Sequence, residues 1–212
     1  PKLTLLKQVS SVSEQLGKCG VLAETFGTSG HTATPEELLR VFFTESMHGV
    51  NVACLHLSAY SLLGRRKRDY PPDFSRHMCH FEKLSEWTER LETLCRMASD
   101  GFRITDMLVL SPVGAVWAEY ANKDLPIDTS KPYRYEDLFR ENSLTESLSE
   151  VAVSYRILEE NLMSLGFDFH LGNERLLSLS ARLSEGGLCV GEYTYHTVVL
   201  PDGFVPDGST VK

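Results

Sequence analysis

Hydrophobic positions in the first fifty residues alternate between helical spacing and one short continuous run. Residues 5–16 carry apolar side chains at helical spacing and therefore predict a helix. The apolar run 20–27 follows, delivers Glu24 near its end and stops at a glycine. A helix then begins at Thr34 with a capping box, because Glu37 lies three residues beyond the cap. Strand, polar loop and capped helix form one βα unit, and a strand ending on a single carboxylate is typical of catalytic acids in parallel barrels.

A second strand is predicted where this helix ends. The helix stops at a glycine, and residues 50–60 form a nearly continuous apolar run, as expected of a parallel strand covered on both faces. The far end of this run carries His56, Ser58 and Tyr60. Because the carboxyl ends of neighbouring parallel strands meet at one edge, these side chains and Glu24 are expected to face the same ligand.

A domain boundary is predicted near residue 102. Residues 81–98 recur at helical spacing, and Asp100 and Gly101 end the pattern. We therefore expect a first domain over residues 1–101 and a second over residues 102–212.

Strands and helices alternate again in the second domain. An amphipathic helix is predicted over residues 144–165, and its apolar stripe requires a sheet to pack on. Strands separated by helices favour a doubly wound α/β layer. Both tryptophans, Trp87 in the first domain and Trp117 in the second, lie on predicted helix faces and are expected in the cores. The predicted strands are 104–110, 167–170, 181–184, 188–190 and 197–201, and a short helix is predicted at 174–179.

Composition narrows the class of function. The 212 residues have a formal net charge of -8, whereas nucleic-acid and membrane-surface binding both need a positive field. No apolar run approaches the roughly 18 residues that span a bilayer. We therefore expect neither nucleic acid nor a membrane as a partner. The five cysteines are widely spaced without a C-x-x-C pair, which indicates reduced, mostly buried thiols and a cytoplasmic location.

Several motifs occur in an order that resembles a known family. They are Leu6–Val12, Leu22–Gly30, His48–Asn51, Tyr60–Ser61, Arg66–Ser75 and Leu108–Tyr120. Together, over most of residues 3–200, they are similar to the central part of bacterial glycoside hydrolases of the family 106 α-L-rhamnosidase type. The order over this span is more specific than any single motif.

The resemblance implies both a fold and a set of site residues. Residues 1–101 would be the last strands and helices of a (β/α)8 catalytic barrel, and residues 102–212 a doubly wound α/β accessory domain. The chain opens without Met directly in a helical pattern, so an N-terminal part of the same chain is expected to be missing.

Within that barrel, the resemblance makes Glu24 an active-site carboxylate. It also implies that His56, Tyr60, Ser29 and His31 face the sugar substrate. One departure concerns His31, because the family pattern leads us to expect a tryptophan there, which places sugar stacking at this position in doubt.

Glycoside hydrolysis canonically needs two carboxylates that flank the scissile bond. Glu24 is one candidate, and the second is expected on a strand upstream of this chain, so the isolated segment is expected to be inactive. The resemblance allows a calcium ion, but no residues are assigned to it and no other cofactor is expected. The alternative hypothesis is a non-catalytic carbohydrate-binding α/β module, in which Glu24 only hydrogen-bonds sugar hydroxyls.

Overall fold

The structure is a computed structural model that describes residues 3–18, 20–56, 58–67, 73–119 and 150–206. The chain divides into two compact units, Pro1–Ile104 and Thr105–Lys212. In the first unit, the helices are α1 (Leu3–Gln15), α2 (Pro35–Met47) and α3 (Leu84–Ser99), the strands are β1 (Leu22–Thr25) and β2 (Val52–Leu55), and short 3-10 turns lie at Gly64–Lys67 and Phe81–Lys83.

Helix α2 begins with the capping box that the sequence predicts. The Thr34 hydroxyl accepts the backbone N–H of Glu37 at 3.2 Å, and the Glu37 carboxylate accepts the backbone N–H of Thr34 at 2.8 Å. Pro35 occupies the first helical turn, where a missing N–H costs nothing. The cap fixes where the polar loop after β1 ends.

Strands β1 and β2 pair in parallel, which confirms that successive strands of the first unit run in the same direction. One face of this sheet packs through Ala23, Ala53 and Leu55 on the core that contains Phe42 and Trp87. The residues of the other face are exposed. On that face Leu22 is paired with Val52, and Glu24 is paired with Cys54. Among the described residues β2 is therefore covered on one face only, and it ends at Leu55 rather than at residue 60.

Helix α1 packs with its polar face inward. Its buried residues include Lys7, Ser11 and Gln15, and the Ser11 hydroxyl donates to the Lys7 carbonyl at 2.6 Å. Such bonding back to the preceding turn satisfies a hydroxyl that has no water to bond. The apolar residues that predicted the helix are instead exposed, namely Leu5, Val9, Val12 and Leu16.

The described part of the second unit contains a parallel sheet and an antiparallel sheet. The elements are β3 (Met107–Leu110), α4 (Val113–Glu119), α5 (Glu150–Ser164), β4 (His170–Gly172), α6 (Glu174–Ser180), β5 (Ala181–Ser184), β6 (Gly187–Val190), β7 (Tyr193–Tyr195) and β8 (Thr197–Val199). Among the described residues, the parallel sheet has the order β4-β3-β8, and the antiparallel sheet the order β5-β6-β7.

Helix α5 covers the parallel sheet with its amphipathic stripe. Tyr155 is buried against Val109 and Leu171 of the sheet, and Leu158 and Leu162 pack on the same cluster. The first part of the predicted helix, including Leu144 and Leu148, lies outside the described residues. The packing on a parallel layer agrees with the sequence pattern.

Some side chains lie where the sequence did not predict them. Trp87 is buried as expected, but Trp117 is 75% exposed, since it lies on the open face of the short helix α4. Cys54 and Cys79 are exposed, so the thiols are less buried than predicted, while Cys19 lies outside the described residues. Among the described residues, no helix is long and apolar enough to cross a membrane.

Candidate functional site

The candidate site lies at the carboxyl ends of β1 and β2. Glu24 is the third of the four residues of β1, and its side chain lies on the exposed face of the sheet, where it is paired with Cys54. Because neighbouring positions on a strand point to opposite faces, Thr25 is buried while Glu24 faces solvent. A carboxylate in this position is free to meet a substrate that approaches the open face.

His56 is the first residue beyond β2 and continues the pairing of the two strands. Its backbone N–H donates to the Thr25 carbonyl at 2.9 Å. Its imidazole lies close to the backbone of Gly27. A Cβ atom added to Gly27 would come within 2.9 Å of the His56 Cδ2 atom. The missing side chain at Gly27 is therefore what lets the ring occupy this place.

Phe26 turns the chain sharply between Glu24 and this glycine. Its φ is +73°, in the left-handed region, which costs a residue with a side chain roughly 1–2 kcal/mol. The ring is held in an aromatic cluster, with ring centroids 5.6 Å from Trp87 and 5.8 Å from Phe74, and Phe74 and Trp87 stack at 5.7 Å. Burial of this cluster offsets the backbone strain and fixes the start of the loop after β1.

The remaining predicted sugar-facing residues lie on loops. Ser29 and His31 are exposed in the loop after β1, where the Ser29 N–H donates to the Phe26 carbonyl at 3.3 Å. Tyr60 lies five residues past the end of β2 and is fully exposed. The structure brings Glu24 and His56 to neighbouring strand ends, whereas Tyr60 lies on the loop that follows rather than at a strand end.

A buried carboxyl supports β1 from behind. Glu45 of α2 accepts a hydrogen bond from the Thr25 hydroxyl at 2.9 Å, and its second oxygen accepts none from any described residue. Burial raises the pKa of the Glu45 carboxyl above its usual value, and the hydrogen bond from Thr25 partly opposes this shift. Burial therefore disfavours the charged form of Glu45 relative to an exposed carboxyl, and its hydrogen bond goes to Thr25 of the strand that carries Glu24.

The loop after β2 is held by a residue that the sequence did not single out. Asp73 is buried, and its Oδ1 atom accepts the backbone N–H of Ala59 at 3.0 Å while Oδ2 accepts the Ser75 hydroxyl at 2.7 Å. Ser58 adds a bond from its hydroxyl to the Phe74 carbonyl at 3.3 Å. The segment between His56 and Tyr60 is thus tied to the residues that also form the aromatic cluster.

The described residues offer no group of three His, Cys, Asp or Glu side chains that would hold a metal ion. Glu24 has only a cysteine as its partner across the strands, and hard cations such as calcium take six to eight oxygen ligands.

The fold of this chain is similar to part of a solved structure. The chain is similar to the structure of a rhamnosidase from Novosphingobium sp. PP1Y, with a TM-score of 0.63 and 15% sequence identity. The match covers 98% of this chain and 18% of that chain, so the present sequence spans less than a fifth of the rhamnosidase. No known family profile matches the sequence, and no curated protein matches it.

This rhamnosidase-like fold is mixed α/β with parallel sheets. At 15% identity the likeness shows the fold alone. It follows nearly the whole of the described chain, including both units.

The sequence did not predict the roles of Phe26 and Asp73, which fix the loops after β1 and β2. Phe26 carries no local signal of a left-handed conformation, since glycine is the residue that usually adopts it. Asp73 acts on Ala59 from fourteen positions away, and no short motif links them. Gly27 did have a signal, because a glycine at a strand end often marks a close approach of another group.

Proposed function

We propose that this chain is part of a bacterial glycoside hydrolase that acts on α-L-rhamnosides or related sugars, of the family 106 type. Residues 1–101 would contribute the last strands and helices of a (β/α)8 barrel, and residues 102–212 an accessory α/β domain. The observation that carries the proposal is the pairing of β1 and β2 in parallel, with Glu24 and His56 at their carboxyl ends. Active sites of such barrels lie at this end of the strands.

The uncovered surface of the first unit supports a barrel. Parallel sheets are normally covered on both faces, yet Leu22 is 60% and Val52 41% exposed. Among the described residues, β1 pairs only with β2, and a sheet of two strands is marginal without further strands. Additional parallel strands of the same protein would complete the sheet and enclose the face that bears Glu24.

The apolar stripe of α1 fits the same arrangement. In a right-handed βαβ unit the helix lies over the strand that precedes it as well as the strand that follows. A strand upstream of α1, beside the free edge of β1, would take the exposed side chains of Leu5, Val9 and Val12 out of water.

The chemistry assigned to this site is glycosidic bond cleavage between two carboxylates. Glu24 supplies one of them, either as the acid that protonates the leaving oxygen or as the group opposite it. His56 and Tyr60, with Ser29 and His31, orient the sugar through hydrogen bonds and ring contact. The second carboxylate comes from a strand outside this chain.

The test is hydrolysis of an aryl α-L-rhamnoside by the full-length protein and its Glu24→Gln variant. General acid–base catalysis contributes about 10²- to 10⁴-fold per group, so kcat is expected to fall at least about 100-fold. Glu36→Gln, exposed in the first turn of α2, is the matched control and keeps wild-type turnover.

Near-wild-type turnover of Glu24→Gln would remove Glu24 from catalysis. Binding of L-rhamnose without hydrolysis by the full-length protein would favour the alternative of a carbohydrate-binding module.

A further inference from the structure

Asp73 joins two parts of the candidate site that are far apart in sequence. Its Oδ1 atom accepts the N–H of Ala59, and this bond lies between His56, which ends the paired strands, and the exposed Tyr60. The residue after it, Phe74, lies 5.8 Å from Phe26 between ring centroids. One short segment therefore contacts the loop after β1 and the loop after β2.

The contacts of Asp73 are directed into the protein and not towards a ligand. The residue is only 8% exposed, and both carboxylate oxygens already accept hydrogen bonds, from Ala59 and from Ser75. A charged group accepting a backbone N–H makes a bond roughly twice as strong as a neutral pair. Such a bond is well suited to hold the backbone at Ala59, which lies outside the described helices and strands.

We propose that Asp73 is a positioning residue for sugar binding, acting through the loop that carries Tyr60. This inference rests on the proposed function, because it assumes that Tyr60 meets the sugar. Tyr60 itself is fully exposed, so its ring gains no fixed place from packing. The anchor at Ala59, one residue before the loop reaches Tyr60, limits where the ring can go.

The proposed role of Asp73 in sugar binding can be told apart from a role in the overall stability of the first unit. Loss of global stability would lower the amount of active protein and so the apparent kcat, with KM unchanged. Loss of a binding contact that persists into the transition state raises KM and leaves kcat unchanged. Asp73 is therefore expected to act on KM, and only while Tyr60 is present.

The experiment is a double-mutant cycle in the full-length protein with an aryl α-L-rhamnoside as substrate. Asp73→Ala is expected to raise KM about 5- to 10-fold with kcat within about twofold of wild type, the pattern of lost uniform binding. In a Tyr60→Ala background the same change is expected to add less than about twofold, because residues that act through each other are not additive.

Two further variants complete the design. Ala59→Pro removes the N–H donor while leaving the aspartate in place, so it tests the same bond even if Asp73→Ala fails to fold. It is expected to raise KM to a similar extent. Asp100→Ala, an exposed aspartate at the end of α3, is the matched control and keeps wild-type KM.

The outcomes separate this inference from the proposed function. A wild-type protein that does not hydrolyse the rhamnoside contradicts the proposed function, and the inference falls with it. A wild-type protein that is active, with unchanged KM in Asp73→Ala or Ala59→Pro, overturns the inference alone. The inference is also overturned if Asp73→Ala raises KM as much in the Tyr60→Ala background as in the wild type.

Discussion

The imidazole of His56 lies directly against the backbone of Gly27, where a Cβ atom would come within 2.9 Å of Cδ2. Gly27→Ala is therefore expected to displace the ring and to destabilise the first unit by about 1–3 kcal/mol, the usual cost of overpacking. The measurement is the chemical shift of the His56 ring protons by NMR, together with thermal unfolding.

Gly30→Ala is the control for that experiment. Gly30 has a φ of +91°, so alanine is strained there too, but its Cβ would meet no atom within 4 Å. The His56 signals are expected to stay at their wild-type positions in this variant. Wild-type ring shifts in Gly27→Ala would contradict the close contact.

The buried Glu45 carboxyl predicts how stability depends on pH. Its raised pKa means that the carboxyl holds its proton more tightly in the folded state than in the unfolded state, so its contribution to stability is complete below the usual carboxyl pKa. That contribution is lost as the pH rises through the folded pKa. Glu45→Gln is always neutral and is therefore expected to flatten the fall in unfolding free energy as the pH rises above the usual carboxyl pKa, measured by urea denaturation.

Thr25→Val is the informative companion of Glu45→Gln. The Thr25 hydroxyl lowers the Glu45 pKa, so its removal is expected to raise that pKa further and extend the loss of stability to higher pH. A Glu45→Gln variant with the pH dependence of the wild type would exclude Glu45 as the titrating group.

In the second unit, His170 and Tyr195 form a buried polar pair. The Tyr195 hydroxyl lies 2.7 Å from the His170 Nδ1 atom, and both side chains are almost fully buried. Tyr195→Phe removes this bond inside the unit, which is expected to cost about 1–3 kcal/mol. The measurement is calorimetric unfolding, in which about 4–8 °C of Tm corresponds to each kcal/mol for a unit of this size.

Leu183→Ala is the control for this experiment. Leu183 lies in β5 of the antiparallel sheet that also contains Tyr195, and its side chain is exposed. The substitution is expected to change the unfolding free energy by less than about 0.5 kcal/mol. Equal effects of Tyr195→Phe and Leu183→Ala would indicate that the hydrogen bond contributes little.

Residues 1–212 alone are expected to hydrolyse no aryl α-L-rhamnoside. The two paired strands described in the first unit cannot enclose a barrel pocket, and one carboxylate cannot protonate the leaving group and activate water in the same step. The measurement is product release by the purified polypeptide at high enzyme concentration. Clear hydrolysis would place the second carboxylate within this chain.

Local signals in the sequence predicted local structure well. The start of α2 follows from Thr34, Pro35 and Glu37, which act within one turn and need no other part of the chain. The parallel pairing of β1 and β2 follows from the helix between them, which also places Glu24 and His56 at neighbouring strand ends.

Features that depend on distant partners were not predictable in the same way. An apolar run does not tell a paired strand from an extended loop, so β2 was extended to Tyr60 although its pairing ends at Leu55. The stripe in residues 5–16 predicted α1 correctly but not its orientation, because orientation depends on what the helix packs against. Asp73 is a further example, since its role depends on Ala59.

The outward-facing stripe of α1 affects how the polypeptide behaves in solution. Leu5, Val9 and Val12, with Leu22 and Val52 of the sheet, expose apolar surface of the kind that drives self-association. A net charge of -8 opposes this by mutual repulsion, and salt weakens that repulsion. We therefore expect the polypeptide to remain monodisperse at low ionic strength and to aggregate more readily at high salt.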